Sequence, residues 1–290
     1  MSNSVLSSSR RNFFMKLGSA LVAAPSSFSA LARSGDIKVG VCAKSRDLEN
    51  TVHFGFDYLE PAVAEIAEMD DAQYQAFKAR VLASPIRCES CNSFIRKLRV
   101  VGDDVDNAAL RTYMQNALVR CRELGTSVVV WGSGGSRNVA PGDSRDRAWQ
   151  QIKEFLHLAG EIARPQHIVV AIEPLRKQES NIINTGAEAL RLVREVGHPN
   201  VKMIIDYYHL REENEDPQIV WEAREEIVHI HFANPHGRLW PKETAEDSGY
   251  GPFFEQVKKI NFRGGISIEG KGTFENDAAA SLAFFRQELA

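Results

Sequence analysis

The chain has 290 residues, a formal net charge of −3 and a hydrophobic fraction of 43%. That charge provides no basic field to gather nucleic acid or anionic lipid, and no apolar run approaches the roughly 20 residues of a membrane span. The length suits one large α/β domain, with a small molecule as the expected partner.

The first 32 residues read apart from the rest. Arg10 and Arg11 precede Asn12, Phe13 and Phe14, a weakly apolar stretch runs on to Ala24, and Ala30-Leu31-Ala32 offers a small-residue cleavage site. Ser-Arg-Arg-x-Phe-Phe resembles a bacterial twin-arginine export signal. Residues 1–32 are therefore expected to be a signal peptide and 33–290 the folded domain, at work in the periplasm or secreted, with no membrane contact once the signal is removed.

From Ile37 onward, short apolar runs alternate with helical patterns, the signature of βαβ units on a parallel sheet. Strands are predicted over residues 37–43, 56–61, 86–94, 127–133, 167–174, 201–209, 227–233 and 264–270. Between them, Leu110, Met114, Ala117, Leu118 and Cys121 recur at helical spacing, with Gly125 as a stop. Ile152, Phe155, Ala159 and Ile162 mark a further helix ending before Pro165. Thr185-Gly-Ala-Glu188 reads as a capping box, Asp216-Pro217 as a helix start, Pro252-Phe253-Phe254 as another, and Asp277 as the start of the last helix. Eight strands, each followed by a helix or nearly so, predict a single (β/α)8 barrel.

Cys88 and Cys91 form a lone C-x-x-C, which alone is half of a zinc site or a redox pair. On a strand, positions three apart face opposite ways, so both are read as small apolar fillers of the core.

In such a barrel the active site lies where strands end. Four consecutive strands end on polar residues: Glu173 (AIEPL), Asp206 (IIDYYH), His231 (HIHFAN) and Glu269 (SIEGK). Three carboxylates converging on one barrel mouth repel each other, and a divalent cation removes that conflict. Three oxygen ligands with one imidazole and no thiolate suit Mn²⁺, with Mg²⁺, Co²⁺ or Zn²⁺ as alternatives. His229, two residues before His231, reads as a core histidine one layer deeper, and His236 as a loop residue. Glu60, at the end of the second strand, is open between a substrate contact and a salt bridge. Trp131 and Trp240 are open between stacking on a sugar ring and packing.

On these motifs the chain resembles the xylose-isomerase-like barrel family of sugar isomerases and epimerases, closest to ketose 3-epimerases and hydroxypyruvate isomerase. The shared features are a Glu in Ile-Glu-Pro (Glu173), an Asp with a His three residues on (Asp206, His209), the His of His-x-His (His231) and the last-strand Glu (Glu269). Glu179, six residues after Glu173, matches a substrate-contacting Glu, and Gly132-Ser133-Gly134 with Arg137 also looks familial. One departure is Arg238, which lies seven residues after His231 where the family has an Arg at six.

The resemblance implies that Glu173 and Glu269 are metal ligands and also the catalytic pair, one removing a proton and the other returning one. His209, Arg238 and Glu179 would hold substrate oxygens, and a homo-oligomer is possible. The expected function is metal-dependent epimerisation or isomerisation of a non-phosphorylated ketose or keto-sugar through an enediolate. The competing readings are a lyase or hydratase acting on a 3-keto-glycoside and a non-catalytic sugar-binding subunit. A phosphodiesterase of the same fold would need histidines at the ends of strands two and three, where Glu60-Pro61 and Asn92-Ser93 stand instead.

Overall fold

The computed structural model describes residues 37–290, so the expected export signal lies outside the described residues. All eight predicted strands are present: β1 Lys38–Cys42, β2 Tyr58–Glu60, β3 Ser90–Cys91, β4 Val128–Trp131, β5 Val169–Ile172, β6 Val201–Asp206, β7 Ile227–Phe232 and β8 Gly265–Ile268. They are parallel, in the order β2-β1-β8-β7-β6-β5-β4-β3. Bridges from Tyr58 to Arg87 and from Ala62 to Asn92 join the two ends of that order, so the sheet nearly closes on itself.

The strands are shorter than their apolar runs. The third shrinks from nine residues to two, because only Ser90 and Cys91 keep ladder register with Val128 and Val129. The sixth stops at Asp206, and Tyr207–Glu212 turns into a helix that Asp206 caps by accepting from the Tyr208 and His209 amides. That turn places His209 beside the barrel mouth rather than along a strand. The last helix starts at Phe274, three residues before Asp277, because Thr273 caps it by accepting from the Asn276 amide. Thr185 accepts from the Glu188 amide as predicted, but the Glu188 carboxylate accepts from Asn184 one residue earlier.

The two-residue period of each strand divides its side chains between two layers. Val128, Val130, Ala171 and Ile204 form a small cluster within the ring. They share the strand faces that carry Glu173 and Asp206. The opposite faces meet the helices: Phe232 stacks on Tyr207 and contacts Tyr250, Phe253, Phe254, Phe284 and Phe285. This aromatic layer holds β7 against the helices before and after it.

All four cysteines are free thiols, and Cys88 and Cys91 are wholly buried core fillers as expected. No helix among the described residues is long and apolar enough to cross a membrane.

Candidate active site

The strand ends bring Glu173, Asp206, His231 and Glu269 together, with one ligand atom of each lying within 4.8 Å of the others. Glu173, Asp206 and His231 are buried, and Glu269 is partly open to the mouth. His231 Nδ1 lies 3.1 Å from Glu173 Oε1 and 3.4 Å from Glu269 Oε2. Asp206 divides its work: Oδ1 caps the helix, accepting from the Tyr208 amide at 2.7 Å, whereas buried Oδ2 accepts no hydrogen bond among the described residues. A buried carboxylate oxygen with no donor is costly unless a cation faces it.

The four groups do not share one electrostatic environment. Burial pushes the Glu173 carboxyl up, and the neighbouring Glu269 charge adds to this. Burial acts the same way on Glu269, but His231 and Arg238 outweigh it and hold it at about 2. His231 is pushed well up because Glu60, Cys42, Glu269 and Glu173 overcome a burial that opposes the imidazolium.

Above the four groups lies a pocket of about 440 Å³, bordered by Ser93, Ile95 and Arg96, by residues 132–136, and by Glu173, Leu175, Glu179, His209, Arg238 and Glu269. Glycine at 132 is a requirement of the site. A Cβ there would stand 1.6 Å from Glu173 Oε2, so the carboxylate occupies the space a side chain would need. At Gly134 a Cβ would meet the Glu179 carbonyl oxygen at 2.3 Å.

The three residues expected to hold substrate all border this pocket. His209 Nδ1 accepts from the Arg176 amide at 3.3 Å, which leaves the ring proton on Nε2. That nitrogen has no hydrogen-bond partner among the described residues and lies 3.6 Å from Asp206 Oδ2. Arg238 reaches Glu269 Oε2 at 2.7 Å and Glu179 Oε1 at 3.3 Å despite its shifted place in the loop. Gly237 and Arg238 both have positive φ, at 93° and 55°, and the turn between Asn234 and Leu239 closes tightly around them. This folds the guanidinium back over the carboxylates. Glu179 is shared between two cations, since Arg176 Nε also donates to its Oε1 at 2.8 Å. Both guanidinium groups lie over Tyr208, Arg176 at 5.0 Å and Arg238 at 4.8 Å from the ring centre.

Neither tryptophan is placed to stack on a sugar. Trp131 is fully buried against Phe155 and donates to Ser136, and Trp240 packs on Phe56 and Phe274 and donates to the Gly270 carbonyl. His229 is buried as expected, and His236 is an exposed loop residue 3.4 Å from Asp247.

Two residues do more than their sequence context announced. Arg137 is wholly buried and donates to the main-chain oxygens of Glu173 at 2.7 Å and Trp131 at 3.2 Å. Burial lowers its pKa to about 10, against the opposing pull of Glu173 and Glu188. It therefore clamps the end of β5 from behind. Glu60 lies beneath the four strand-end groups and does not border the pocket; it accepts from both His229 and His231. Burial alone would raise its carboxyl, but the two imidazoles outweigh this and keep it well below the usual carboxylate range. The signal available in the sequence was its strand-end position, which does not say toward which neighbour it points.

Comparison with known proteins places this site in context. The family model described as Xylose isomerase-like TIM barrel matches residues 48–288. A 3-dehydro-D-guloside 4-epimerase of Escherichia coli strain K12 is 31% identical over 147 residues, 49% of this chain and 55% of that relative. An L-ribulose 3-epimerase of Methylomonas sp. strain DH-1 is 29% identical over 127 residues, 43% of each chain. The chain thus spans about half the length of these two relatives. A crystal structure of a D-psicose 3-epimerase in the presence of D-fructose superposes with a TM-score of 0.77, covering 87% of this chain and 99% of that one. At 20% identity that likeness is one of fold.

Proposed function

The chain belongs to the xylose isomerase-like TIM barrel family, and we propose that within it the protein is a divalent-metal-dependent epimerase or isomerase of a non-phosphorylated ketose or keto-sugar. The observation that carries this reading is the convergence of four strand-end donors within 4.8 Å at the base of an open pocket. The sugar epimerases among its relatives support the same reaction class.

The residues fit a metal ion. Asp206 Oδ2 is a buried acceptor with no hydrogen-bond donor among the described residues, with Arg238 no nearer than 3.8 Å. Three carboxylates with one imidazole form a donor set suited to Mn²⁺, Mg²⁺, Co²⁺ or Zn²⁺, with Mn²⁺ our choice. Glu173, Asp206, His231 and Glu269 would hold it. Bound there, the ion supplies a Lewis acid that polarises a carbonyl and stabilises negative charge on its oxygen.

The rest of the chemistry falls to side chains. One of Glu173 and Glu269 removes the proton from the carbon beside the carbonyl, and the electron pair passes to the carbonyl oxygen to give an enediolate. The other, protonated at the outset, gives its proton to the opposite face, and the centre is inverted. His209 Nε2–H and the Arg238 guanidinium donate to substrate oxygens, and Glu179 accepts from a hydroxyl.

The test is solvent exchange. The Mn²⁺-loaded full chain is incubated in D₂O with free ketoses and 3-keto-glycosides, with and without chelator, and carbon-bound deuterium is followed by NMR. Chelator-sensitive incorporation with return of the inverted sugar is expected. Expulsion of a leaving group, or no exchange from any of these sugars, would overturn the proposal.

We also propose that the enzyme is exported. Replacing Arg10 and Arg11 by lysine should leave it in the cytoplasm on cell fractionation; unchanged distribution would refute this.

A further inference from the structure

Beneath the four strand-end groups, Glu60 gathers hydrogen bonds from two other strands of the barrel. Its Oε1 accepts from His231 Nε2 at 2.9 Å, and its Oε2 accepts from His229 Nε2 at 2.9 Å and from the Ser267 hydroxyl. Tyr58, on the same face of β2, reaches the Ser267 oxygen at 2.8 Å, so the hydroxyl proton of Ser267 is free to point at Glu60. Glu60, His231 and Ser267 are completely buried and His229 nearly so.

A carboxylate accepts and does not donate, so each imidazole meeting Glu60 presents an N–H on Nε2. For His231 this leaves Nδ1 as the nitrogen on the side of Glu173 and Glu269, 3.1 Å and 3.4 Å away. A metal-ligating histidine is commonly oriented in this way, its far nitrogen donating to a carboxylate that fixes both tautomer and ring plane.

We propose that Glu60 is a positioning residue, which holds an N–H on His231 Nε2 and turns Nδ1, the nitrogen that would lose its proton to ligate a metal ion, toward Glu173, Asp206 and Glu269. The assignment rests on the metal-site reading above for its purpose, though not for its hydrogen bonds. Glu60 touches no part of the pocket and acts on the reaction through His231.

Cys42 Sγ lies 4.0 Å from His231 Nε2, and Cys42, Glu60 and His231 present donor atoms within 4.8 Å of one another. These three do not make a second metal site. The Glu60 oxygens are already committed to three donors, and metal on Nε2 would break the bond that orients the ring.

The test uses the full chain with Glu60→Leu, which keeps bulk but accepts nothing, and Glu60→Gln, which retains one accepting oxygen. Mn²⁺ affinity is measured by calorimetry, and the Nε2–H of His231 by ¹⁵N–¹H correlation of the metal-free protein. Glu60→Leu is expected to bind Mn²⁺ about 10–100-fold more weakly and to lose the Nε2–H signal, with Glu60→Gln in between. If Glu60→Leu does not fold, the Gln variant alone decides. Unchanged affinity in the variants, or a bare Nε2 on His231 in the wild type, would overturn the proposal. A wild type with Nε2–H that binds no Mn²⁺ would sink the metal reading while upholding the role of Glu60 in orienting the ring.

Discussion

Replacing Gly132 by alanine tests the site through a single methyl group. The added Cβ would lie 1.6 Å from Glu173 Oε2 and 2.7 Å from its Cδ, whereas ordinary contact begins at 3.4 Å. The carboxylate must therefore withdraw by about 1.8 Å, the difference between those two distances. Backing away is hindered, since Arg137 holds the Glu173 carbonyl oxygen and the strand ladder holds its amide. The side chain has to turn instead, carrying Oε1 off His231. A displacement of about 1 Å at a reacting group can cost about 100-fold in rate, so Gly132→Ala should reduce deuterium exchange by at least about 100-fold. Mn²⁺ affinity should fall as well, because Glu173 is one of the four donors proposed to hold the ion. Overpacking of this kind costs about 1–3 kcal/mol, so the variant should stay folded with a lowered melting temperature. The assay compares calorimetric Mn²⁺ binding and exchange rate in wild type and variant, with near-ultraviolet circular dichroism to verify the fold. A folded Gly132→Ala protein with wild-type affinity and exchange would refute the placement of Glu173.

Two further outcomes follow from groups away from the pocket. Arg137→Met removes donors from the carbonyl oxygens of Glu173 and Trp131. A buried acceptor left alone costs about 1–3 kcal/mol, so a loss of about 3 kcal/mol is expected, or about 6–12 °C in melting temperature for a domain of this size. A shift inside experimental error would show that the clamp contributes nothing. Asp247 concerns acid stability: burial raises its carboxyl, but the Tyr207 hydroxyl, the Gly249 amide and Arg211 outweigh this and hold it below the usual range. A depressed folded pKa contributes stability that is fully present above the unfolded value of about 4 and is lost as pH falls through the folded one. The gap in melting temperature between wild type and Asp247→Asn should stay level down to about pH 5 and narrow below about pH 4. A gap that widens in acid would contradict the assigned partners.

The barrel was legible because its signal is local and repeated. Apolar runs such as HIVVAI and VKMII announce strands wherever both faces are covered, and each predicted run contains an observed strand. Boundaries were less legible, since an apolar run does not show where ladder register ends. Residues 207–209 look like strand by composition, yet the Asp206 side chain caps a helix there, and that turn carries His209 to the mouth. The tryptophans stayed open between sugar stacking and packing for a related reason. Residue type tells that an indole is amphipathic, but the neighbours that bury Trp131 and Trp240 come from distant segments.

What the sequence determined by itself was the set of strands and the polar residues at their ends. In a parallel barrel those ends share one rim, so order along the chain already predicts that Glu173, Asp206, His231 and Glu269 meet. The tertiary structure alone decided how they meet. Glu60 finds His231 across a separation of 171 residues, and Arg137 finds the carbonyl oxygen of Glu173 across 36. No periodicity encodes either contact. Closure of the ring fixes which inward side chains face one another, and the space left by Gly132 fixes where the Glu173 carboxylate rests. Which nitrogen of His231 faces Glu173 and Glu269, and which oxygen of Asp206 has no hydrogen-bond donor among the described residues, follows from that packing and not from spacing along the chain.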